Sequence, residues 1–377
     1  EIGVYESLAT LGTSNWILGN QLVSGFFPNK IPNPDLKWER TGQFDIGLDL
    51  GLFNNRLRIT TDYYKKKTTD LLYSVAVPAT SGYQTMLKNI GSIENQGYEL
   101  SIESDNLTGA FSWTTAFNIA FNRNKVLELG GEEYKEMAEG DGHLKTGSVR
   151  RLIVGEPIGV FYGYRFDGIF QNEEECKQQT SSASPIGVGL RRYKDLNGDG
   201  KVDAANDREI LGDANPKFFG GLTNTFAYKG FELNVFLQYS YGNKILNYNA
   251  MELENPTGGQ NAYADMVNRW TPENPSNIYP KATTNRALLV SDRFIEDGSY
   301  LKLKTLSLSY SFPKINLKHI QGLRLYVTGQ NLLTWTKYRG YDPEVSYRGA
   351  STLEAGEDFG GYPQSRTFMF GIKLDIK

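Results

Sequence analysis

The sequence is poor in the residues that mark several common protein classes. Its 377 residues include one cysteine, Cys176, and two histidines, so we expect neither an intrachain disulfide nor a histidine-rich metal site. No run of 18 apolar residues occurs, which excludes a transmembrane helix. The net charge of −3 gives no basic field for nucleic acid, so no nucleic-acid partner is expected. No nucleophile signature accompanies the histidines, and we predict that the protein is not an enzyme.

What the sequence does contain is nine stretches in which apolar and polar residues alternate. A period of two places apolar side chains on one face of a β-strand and polar side chains on the other. Several stretches reach nine residues or more, which suits tilted strands that cross a bilayer. The mean hydropathy of −0.45 agrees with this, because only one face of such a wall is apolar. The predicted strands lie near residues 40–53, 56–72, 94–105, 110–126, 217–228, 231–243, 299–312, 322–335 and 365–377.

The connections between these strands alternate between short turns and long loops. Short turns at one edge and long loops at the other are typical of outer-membrane β-barrels. A secreted β-sandwich or adhesin also alternates and stays the alternative, but a sandwich gives no reason for the asymmetry. We therefore predict an all-β fold, an antiparallel transmembrane β-barrel segment with long extracellular loops. The turns are predicted at 53–56, 106–109, 228–230 and 313–321, and the long connections near 76–91, 127–216, 243–297 and 336–364.

The number of strands predicts that the chain is a piece of a larger barrel. Nine is odd, whereas single-chain bacterial barrels usually have an even number of strands, and an open edge in lipid costs several kcal/mol for each unpaired backbone group. Residues 1–39 are predicted to be an extracellular loop segment, because Pro28, Pro32 and Pro34 interrupt a regular ladder. Residues 40–377 are predicted to be the C-terminal part of the barrel, with extracellular insertions at 127–216 and 243–297. The chain starts without a signal peptide, so either the signal has been removed or the chain is internal.

Six short motifs carry a family resemblance. They are NPDLKWE at 33–39, IENQGYEL at 93–100, DLNGDGKVD at 195–203, RWTPENP at 269–275, DGSYLKLK at 297–304 and GQNL at 329–332. Together, and in this order, they resemble the SusC/RagA family of TonB-dependent outer-membrane transporters of Bacteroidetes. The resemblance runs from about residue 33 to the end of the sequence.

The resemblance implies a 22-stranded barrel with a plug in its lumen, of which this chain supplies about nine strands. It also implies import of oligosaccharides or oligopeptides, a SusD-like surface lipoprotein as a lid, and a TonB complex that acts through an N-terminal region outside this sequence. A passive outer-membrane porin is the alternative, since a porin lacks the plug. Nothing in the residues separates glycan from peptide cargo, and substrate-binding residues stay unassigned.

The clearest chemical motif has the spacing of a calcium loop. Oxygen ligands at positions 1, 3, 5 and 9 with glycine at position 6 match the first part of such a loop. The pattern departs at its end, because Asp207 falls at position 13 and an EF-hand places glutamate at position 12. We predict a structural Ca²⁺ that braces the 127–216 connection; the alternative is a turn with solvated acids. The candidate ligands are Asp195, Asn197, Asp199, Lys201 through its backbone carbonyl, Asp203 and Asp207.

The strands also carry predictions about which residues face the lumen. In the strand near 299–312 the apolar phase shifts after Leu303, which predicts a bulge near Lys304 and Thr305; the alternative is that Leu301 and Leu303 face inward. The polar residues predicted to face the lumen are Asp45, Asp49, Thr114, Asn118 and Gln238.

Aromatic residues in the connections have two possible roles. They can stack on sugars or line a peptide groove, or they can pack the loops against one another, and we predict packing for most of them. They are Trp16, Phe26, Phe27, Tyr248, Tyr263, Trp270, Tyr338, Tyr341 and Tyr347.

Overall fold

The computed structural model describes residues 7–376 except 138–139, 141–142, 145, 256–260, 285–287, 313–319, 346 and 350. Two short helices, α1 (Glu173–Lys177) and α2 (Tyr248–Leu253), occur in this part of the chain. None of its helices is long and apolar enough to span a membrane. The strands, in chain order, are β1 (Leu11–Leu18), β2 (Gln21–Pro28), β3 (Arg40–Leu52), β4 (Leu57–Thr69), β5 (Leu72–Ala76), β6 (Thr85–Asn89), β7 (Ser92–Thr108), β8 (Phe111–Glu128), β9 (Tyr134–Glu136), β10 (Arg151–Ile153), β11 (Val160–Tyr164), β12 (Phe166–Ile169), β13 (Thr180–Ser181), β14 (Arg191–Tyr193), β15 (Lys201–Val202), β16 (Arg208–Asp213), β17 (Phe218–Tyr228), β18 (Phe231–Tyr241), β19 (Lys244–Asn247), β20 (Ile295–Asp297), β21 (Tyr300–Ser311), β22 (Ile320–Thr336), β23 (Glu357–Asp358) and β24 (Thr367–Ile376).

Nine of these strands form one antiparallel sheet. Its order is β24-β22-β21-β18-β17-β8-β7-β4-β3, so each strand pairs with the next strand of this sheet along the chain. These are the nine predicted strands, each with bounds within three residues of the predicted ones. Strands β3 and β24 are the two edges of the sheet, which is open. We call this nine-stranded sheet the wall. The all-β antiparallel prediction is confirmed.

The two faces of the sheet differ in polarity. The pairing register aligns a polar row across one face, and the five residues predicted to face the lumen all lie on that face. Side chains of the other face are apolar and exposed; Leu48 is 52% exposed and Phe370 is 83% exposed. A continuous apolar face of this exposure is the surface expected to contact lipid. The polar row consists of Asp49, Thr60, Ser101, Asn118, Gly221, Gln238 and Lys302.

Strand β21 contains the predicted bulge. Against β18, Thr305 pairs with Phe236 and Leu303 pairs with Leu237, so Lys304 is an extra residue. The register against β22 shifts at the same point. The bulge returns the apolar residues that follow it to the same face as Leu301, which is partly exposed on the apolar side. The alternative, with Leu301 and Leu303 turned inward, is wrong.

The short turns lie at one end of the sheet and the long connections at the other. The β3–β4 turn places Phe53, Asn54 and Asn55 in the left-handed region, and the two-residue β17–β18 turn does the same for Lys229 and Gly230, as a type I′ turn requires. The predicted turn at 313–321 falls mainly outside the described residues. Elsewhere the predicted alternation of short turns and long connections agrees with the strand bounds.

The segment before the wall departs from its prediction. Strands β1 and β2 pair along their whole length as a hairpin, whose turn residues Gly19 and Asn20 both have positive φ. Pro28 is the last residue of β2, where a missing N–H is tolerated, and Pro32 and Pro34 follow the hairpin. The prediction that prolines keep a regular ladder out of residues 1–39 is therefore wrong for the described part of that segment.

A charge on the apolar face should impair assembly far more than a neutralised acid on the polar face. We expect Val235→Arg or Leu48→Arg to lower the yield of folded barrel in outer membranes, because a cation facing lipid at mid-depth costs about 2–4 kcal/mol. Asp49→Asn, next to Leu48 but on the opposite face, is the matched control and should leave the yield unchanged. The measurement is the protease-resistant fraction of the full protein in isolated membranes. Equal yields for Val235→Arg and Asp49→Asn would contradict the assignment of faces.

Candidate functional site in the loop layer

Three long connections pack together into one body at the end of the sheet opposite the short turns. We call the described residues of 129–217, 242–299 and 337–366 the loop layer. Strand β19 pairs antiparallel with β20 and parallel with β23, which joins the second connection to the third. A bridge between Tyr164 and Ser291 joins the first connection to the second. The loop layer is therefore held by backbone pairing between segments far apart in the sequence.

The loop layer has its own apolar core. The core takes residues from the first two connections, and Phe359 of the third packs against it. Fully burying one such side chain stabilises a fold by about 1.5–3 kcal/mol, so ten of them make a substantial core. The buried members are Leu144, Val149, Phe161, Leu246, Tyr248, Ala250, Met251, Leu288, Val290 and Phe294.

A buried ion pair links the first connection to the third. The guanidinium of Arg150 donates to Glu357 at 2.9 Å, and both residues are 1% exposed. The same guanidinium also donates to the backbone carbonyls of Gly159 and Ala355. Removing one partner of a buried pair costs about 3–5 kcal/mol, because the other charge stays buried and unpaired. Arg150 therefore fixes the third connection against the first.

A second network links the second connection to the third. The carboxylate of Glu254, which is buried, accepts from Arg293 at 2.8 Å and from Arg339 at 2.6 Å. Arg339 also binds Glu296 at 2.7 Å. These two arginines come from separate connections and meet at one carboxylate, so the network adds to the cohesion of the loop layer.

The loop layer is anchored to the polar face of the wall beside the β21 bulge. The ammonium of Lys302, which is 1% exposed, lies 2.6 Å from both Asp342 and Glu344. Lys304 reaches Glu344 at 3.0 Å, and the amide of Gln238 donates to Glu344 at 3.1 Å. Sequence reasoning missed this cluster. The sequence does show Lys302 and Lys304 two residues apart, and two acids, Asp342 and Glu344, with the same spacing. It does not show that these two segments lie together.

The acids of this anchor are held in their charged form. Burial by itself raises the pKa of Glu344, but hydrogen bonds from Lys302 and Lys304 outweigh burial and lower that pKa below its ordinary value. The pKa of Asp342 is lowered in the same way, with Lys302 opposing the effect of burial. The anchor therefore depends on both carboxylates being ionised.

The six predicted calcium ligands lie in the loop between β14 and β16. The carboxylate of Asp195 accepts the backbone N–H groups of Gly198 and Gly200, both at 2.7 Å. Asp207 is fully buried and accepts the N–H groups of Leu196 and Asp203. Asp203 accepts the N–H groups of Ala205 and Asn206. Further contacts join Asn197 with Asp199, Lys201 with Asp199 through its N–H, and Lys201 with Asp203 through its ammonium.

This arrangement does not assemble a metal cage. Across the described residues, no group of three or more His, Cys, Asp or Glu side chains is placed to hold a metal ion. The carboxylates of the loop instead satisfy its backbone N–H groups, which stabilises a tight loop without an ion. The carboxylates of the loop are therefore not gathered around one point, and calcium stays a prediction.

The loop aromatics divide into packed and exposed residues. Tyr248, Trp270 and Tyr338 are buried, and Trp270 also donates from its indole to Gln171. The packing prediction is confirmed for these three. Trp16, Phe26, Phe27, Tyr341 and Tyr347 remain exposed, Tyr263 packs partly against the loop-layer core, and Tyr362, which sequence reasoning did not select, is also exposed. Tyr341 is 82% exposed although its neighbour Asp342 is fixed by Lys302.

Breaking the wall anchor should loosen the third connection. We expect Lys302→Met to lower hydrogen-exchange protection around residue 344, whose N–H donates to Asp342, because one buried and one half-buried carboxylate lose their main partner. Lys66→Met is the matched control, because Lys66 lies exposed on the same face of the wall.

The anchor should also weaken in acid. Both folded pKa values are depressed, so the stabilisation is complete above the ordinary values of 4.5 and 3.8 and is lost as pH falls through the lower folded values. Hydrogen-exchange protection, corrected for the intrinsic exchange rate, should therefore decrease in the native protein as the pH is lowered. The decrease should be smaller in Lys302→Met, which lacks the anchor at every pH. Unchanged protection in Lys302→Met at neutral pH would contradict the anchor.

The sequence and the structure match known proteins along nearly the whole chain. The family model "TonB dependent receptor-like, beta-barrel" matches residues 6–332. TonB-dependent receptor P3 of Formosa agariphila is 40% identical over 99% of this chain and 38% of its own length. TonB-dependent receptor SusC of Bacteroides thetaiotaomicron is 30% identical over 92% of this chain and 33% of its own length.

A solved structure of the RagAB peptide transporter has the same arrangement of strands. It superposes with a TM-score of 0.79 at 27% sequence identity and covers 99% of this chain and 39% of that chain. The chain thus spans about two fifths of the proteins it matches. The expected SusC/RagA resemblance is confirmed: this chain belongs to the TonB-dependent receptor family and forms part of its β-barrel.

Proposed function

We propose that this chain is the C-terminal part of an energy-coupled outer-membrane importer that takes up oligosaccharides or oligopeptides. The observation that supports the proposal most is the combination of a nine-stranded, one-face-apolar wall with an ordered loop layer at one end. The match to the RagAB peptide transporter, which covers 99% of this chain, supports it further. In this proposal the polar face borders the lumen and the loop layer captures substrate.

The loop layer would face the cell exterior and the short turns the periplasm. Outer-membrane barrels have short periplasmic turns and longer extracellular loops, and this sheet has the same asymmetry. A folded loop layer of this kind offers a fixed surface on which substrate and a partner can dock. The exposed rings of Tyr341 and Tyr362 are suited to stacking on sugars, whereas the RagAB relative is described as a peptide importer, so both cargoes remain in the proposal.

The proposed partners are a SusD-like surface lipoprotein and the TonB complex. The lipoprotein would close over the loop layer as a lid, and TonB would act through an N-terminal region outside this sequence. Support comes from the SusC relative and from RagAB, which is described in open-open and closed-closed states. Outer-membrane lipid would contact the apolar face of the wall.

Loss of energy coupling should abolish uptake. We expect cells that carry the full protein to accumulate labelled oligosaccharides or peptides from a mixed panel, and cells without TonB to lose that uptake, because a plugged barrel opens only when it is pulled. Diffusion of a small solute through other porins is the control. Uptake that persists without TonB would favour the passive porin. Purification of the full protein without any co-purifying lipoprotein would contradict the proposed lid.

We also propose a structural calcium ion in the loop between β14 and β16. Four carboxylates occur there within 13 residues, and Lys201 is the one cation that pairs with them within the described part of the chain. Binding would require Asn197 and Asp199 to exchange their mutual hydrogen bond for the ion. Affinities of 10⁻⁴–10⁻³ M occur in extracellular calcium modules, and such an affinity is enough for a structural role.

Calcium should raise the stability of the full protein through this loop. At a concentration of about 100 times Kd, an ion that binds only the folded state stabilises it by about 2.7 kcal/mol. We expect Ca²⁺ to raise the melting temperature relative to chelator, and Asp199→Asn to reduce the effect. Glu174→Gln, in the acidic helix α1, is the control. An equal calcium effect in Asp199→Asn and the native protein would overturn this site.

A further inference from the structure

Arg191 is a half-buried cation without a carboxylate partner. It begins β14, and its guanidinium donates one hydrogen bond, at 3.0 Å, to the backbone carbonyl of Glu254. It also lies 5.7 Å from the ring centroid of Phe294. Burial lowers the pKa of this guanidinium from its ordinary value, with smaller opposing effects from Tyr193 and Glu254. Among the described residues, no carboxylate lies within ion-pair distance of it.

The neighbouring acids cannot serve Arg191 because other arginines already occupy them. Glu254 is bound by Arg293 and Arg339, and Glu296 is bound by Arg339. Three guanidiniums therefore meet two carboxylates, which leaves one positive charge in excess. The Nε of Arg293 is also buried without a hydrogen-bond partner among the described residues. A partly buried charge without a carboxylate partner is costly, so this part of the loop layer favours an added anion.

A small cavity lies beside this excess charge. Its volume is about 70 Å³. Its polar lining residues are Ser184, Arg191, Tyr193, Asn255 and Thr283, and its apolar lining residues include Leu190, Leu288 and Leu289. One water needs about 10–15 Å³ measured in this way, so the cavity holds a group of roughly five small atoms. Asn255 is 8% exposed, and its amide has no side-chain hydrogen bond within the described chain. The cavity thus combines a cation, an amide without a hydrogen bond to the described chain and room for one small group.

We propose that this cavity is a subsite for a single oxyanion of the imported substrate, either a carboxylate or a sulfate or phosphate ester. Arg191 would bind two oxygens of the anion with its planar guanidinium, and Ser184 and Asn255 would donate to the oxygens that remain. The apolar residues of the lining lower the local polarity, which would strengthen these bonds. The inference rests on the proposed import function for the identity of the ligand, but not for the existence of the anion site.

The first experiment tests the site without reference to transport. Acetate, sulfate and methyl phosphate are titrated into the purified full protein at constant ionic strength, and the melting temperature is followed. We expect a saturable rise with at least one of these anions. The rise should be lost in Arg191→Gln and kept in Arg192→Gln, whose neighbouring guanidinium instead pairs with Asp167 and Glu175. The absence of a saturable rise, or the same loss in Arg192→Gln, would overturn the proposal.

A second variant covers the case in which Arg191→Gln does not fold. Arg191→Lys retains the charge but lacks the planar fork, so anion binding should weaken by about tenfold. Binding unchanged in Arg191→Lys would contradict the assigned role of the guanidinium.

Matched ligands then identify the source of the oxyanion. A peptide with a free terminal carboxylate is compared with its amide, and a sulfated oligosaccharide with its desulfated form, by calorimetry on the full protein. We expect one charged member to bind at least tenfold more tightly than its neutral partner, and Arg191→Gln to remove that preference. If anions bind but neither pair of matched ligands shows a preference, the anion site is supported and its role in substrate capture is overturned. If cells that carry the full protein show no TonB-dependent uptake although the binding preference is present, the import function alone is overturned.

Discussion

The structure depends on the requirement that backbone N–H and C=O groups be paired wherever a strand meets lipid. Nine strands meet this requirement by pairing in chain order, and the pairing fixes which side chains share a level and a face. A shift of one residue would turn every side chain of a strand to the opposite face. The apolar face, the polar row that ends at Lys302 and the position of the loop layer all follow from this register.

The wall could be predicted from the sequence because its determinants are local. Alternation with a period of two identifies each strand, and a break in that alternation at Leu303 identified the bulge at Lys304. The hairpin of β1 and β2 was not predicted, because Pro28, Pro32 and Pro34 disfavour a regular ladder and the turn at Gly19 and Asn20 was overlooked. Both residues adopt a positive φ there, which is the stronger local signal for a two-residue turn.

The loop layer could not be predicted because its determinants are distant in sequence. Arg150 and Glu357 are 207 residues apart, and nothing in either neighbourhood identifies the other. The calcium motif shows the opposite problem, since its spacing is local and easily read while the loop uses Asp195 and Asp207 to bind its own backbone. Spacing finds residues that lie near one another, but it does not determine whether a carboxylate is available to an ion. The sequence likewise does not show that Arg191 lacks a carboxylate partner, because the nearby acids are paired by Arg293 and Arg339, which are distant in sequence.

The ion pair between Arg150 and Glu357 has a consequence for biogenesis. The first connection of the loop layer contains Arg150, and the neutralising acid arrives with the third connection, close to the last strand of the wall. Burial of the arginine before that point would leave a charge without its partner. The ion pair therefore cannot form until the third connection has joined the first, which makes completion of the loop layer a late step of assembly. A chain that ends before the third connection would thus leave Arg150 without Glu357 and would uncover the part of the loop-layer core against which Phe359 packs.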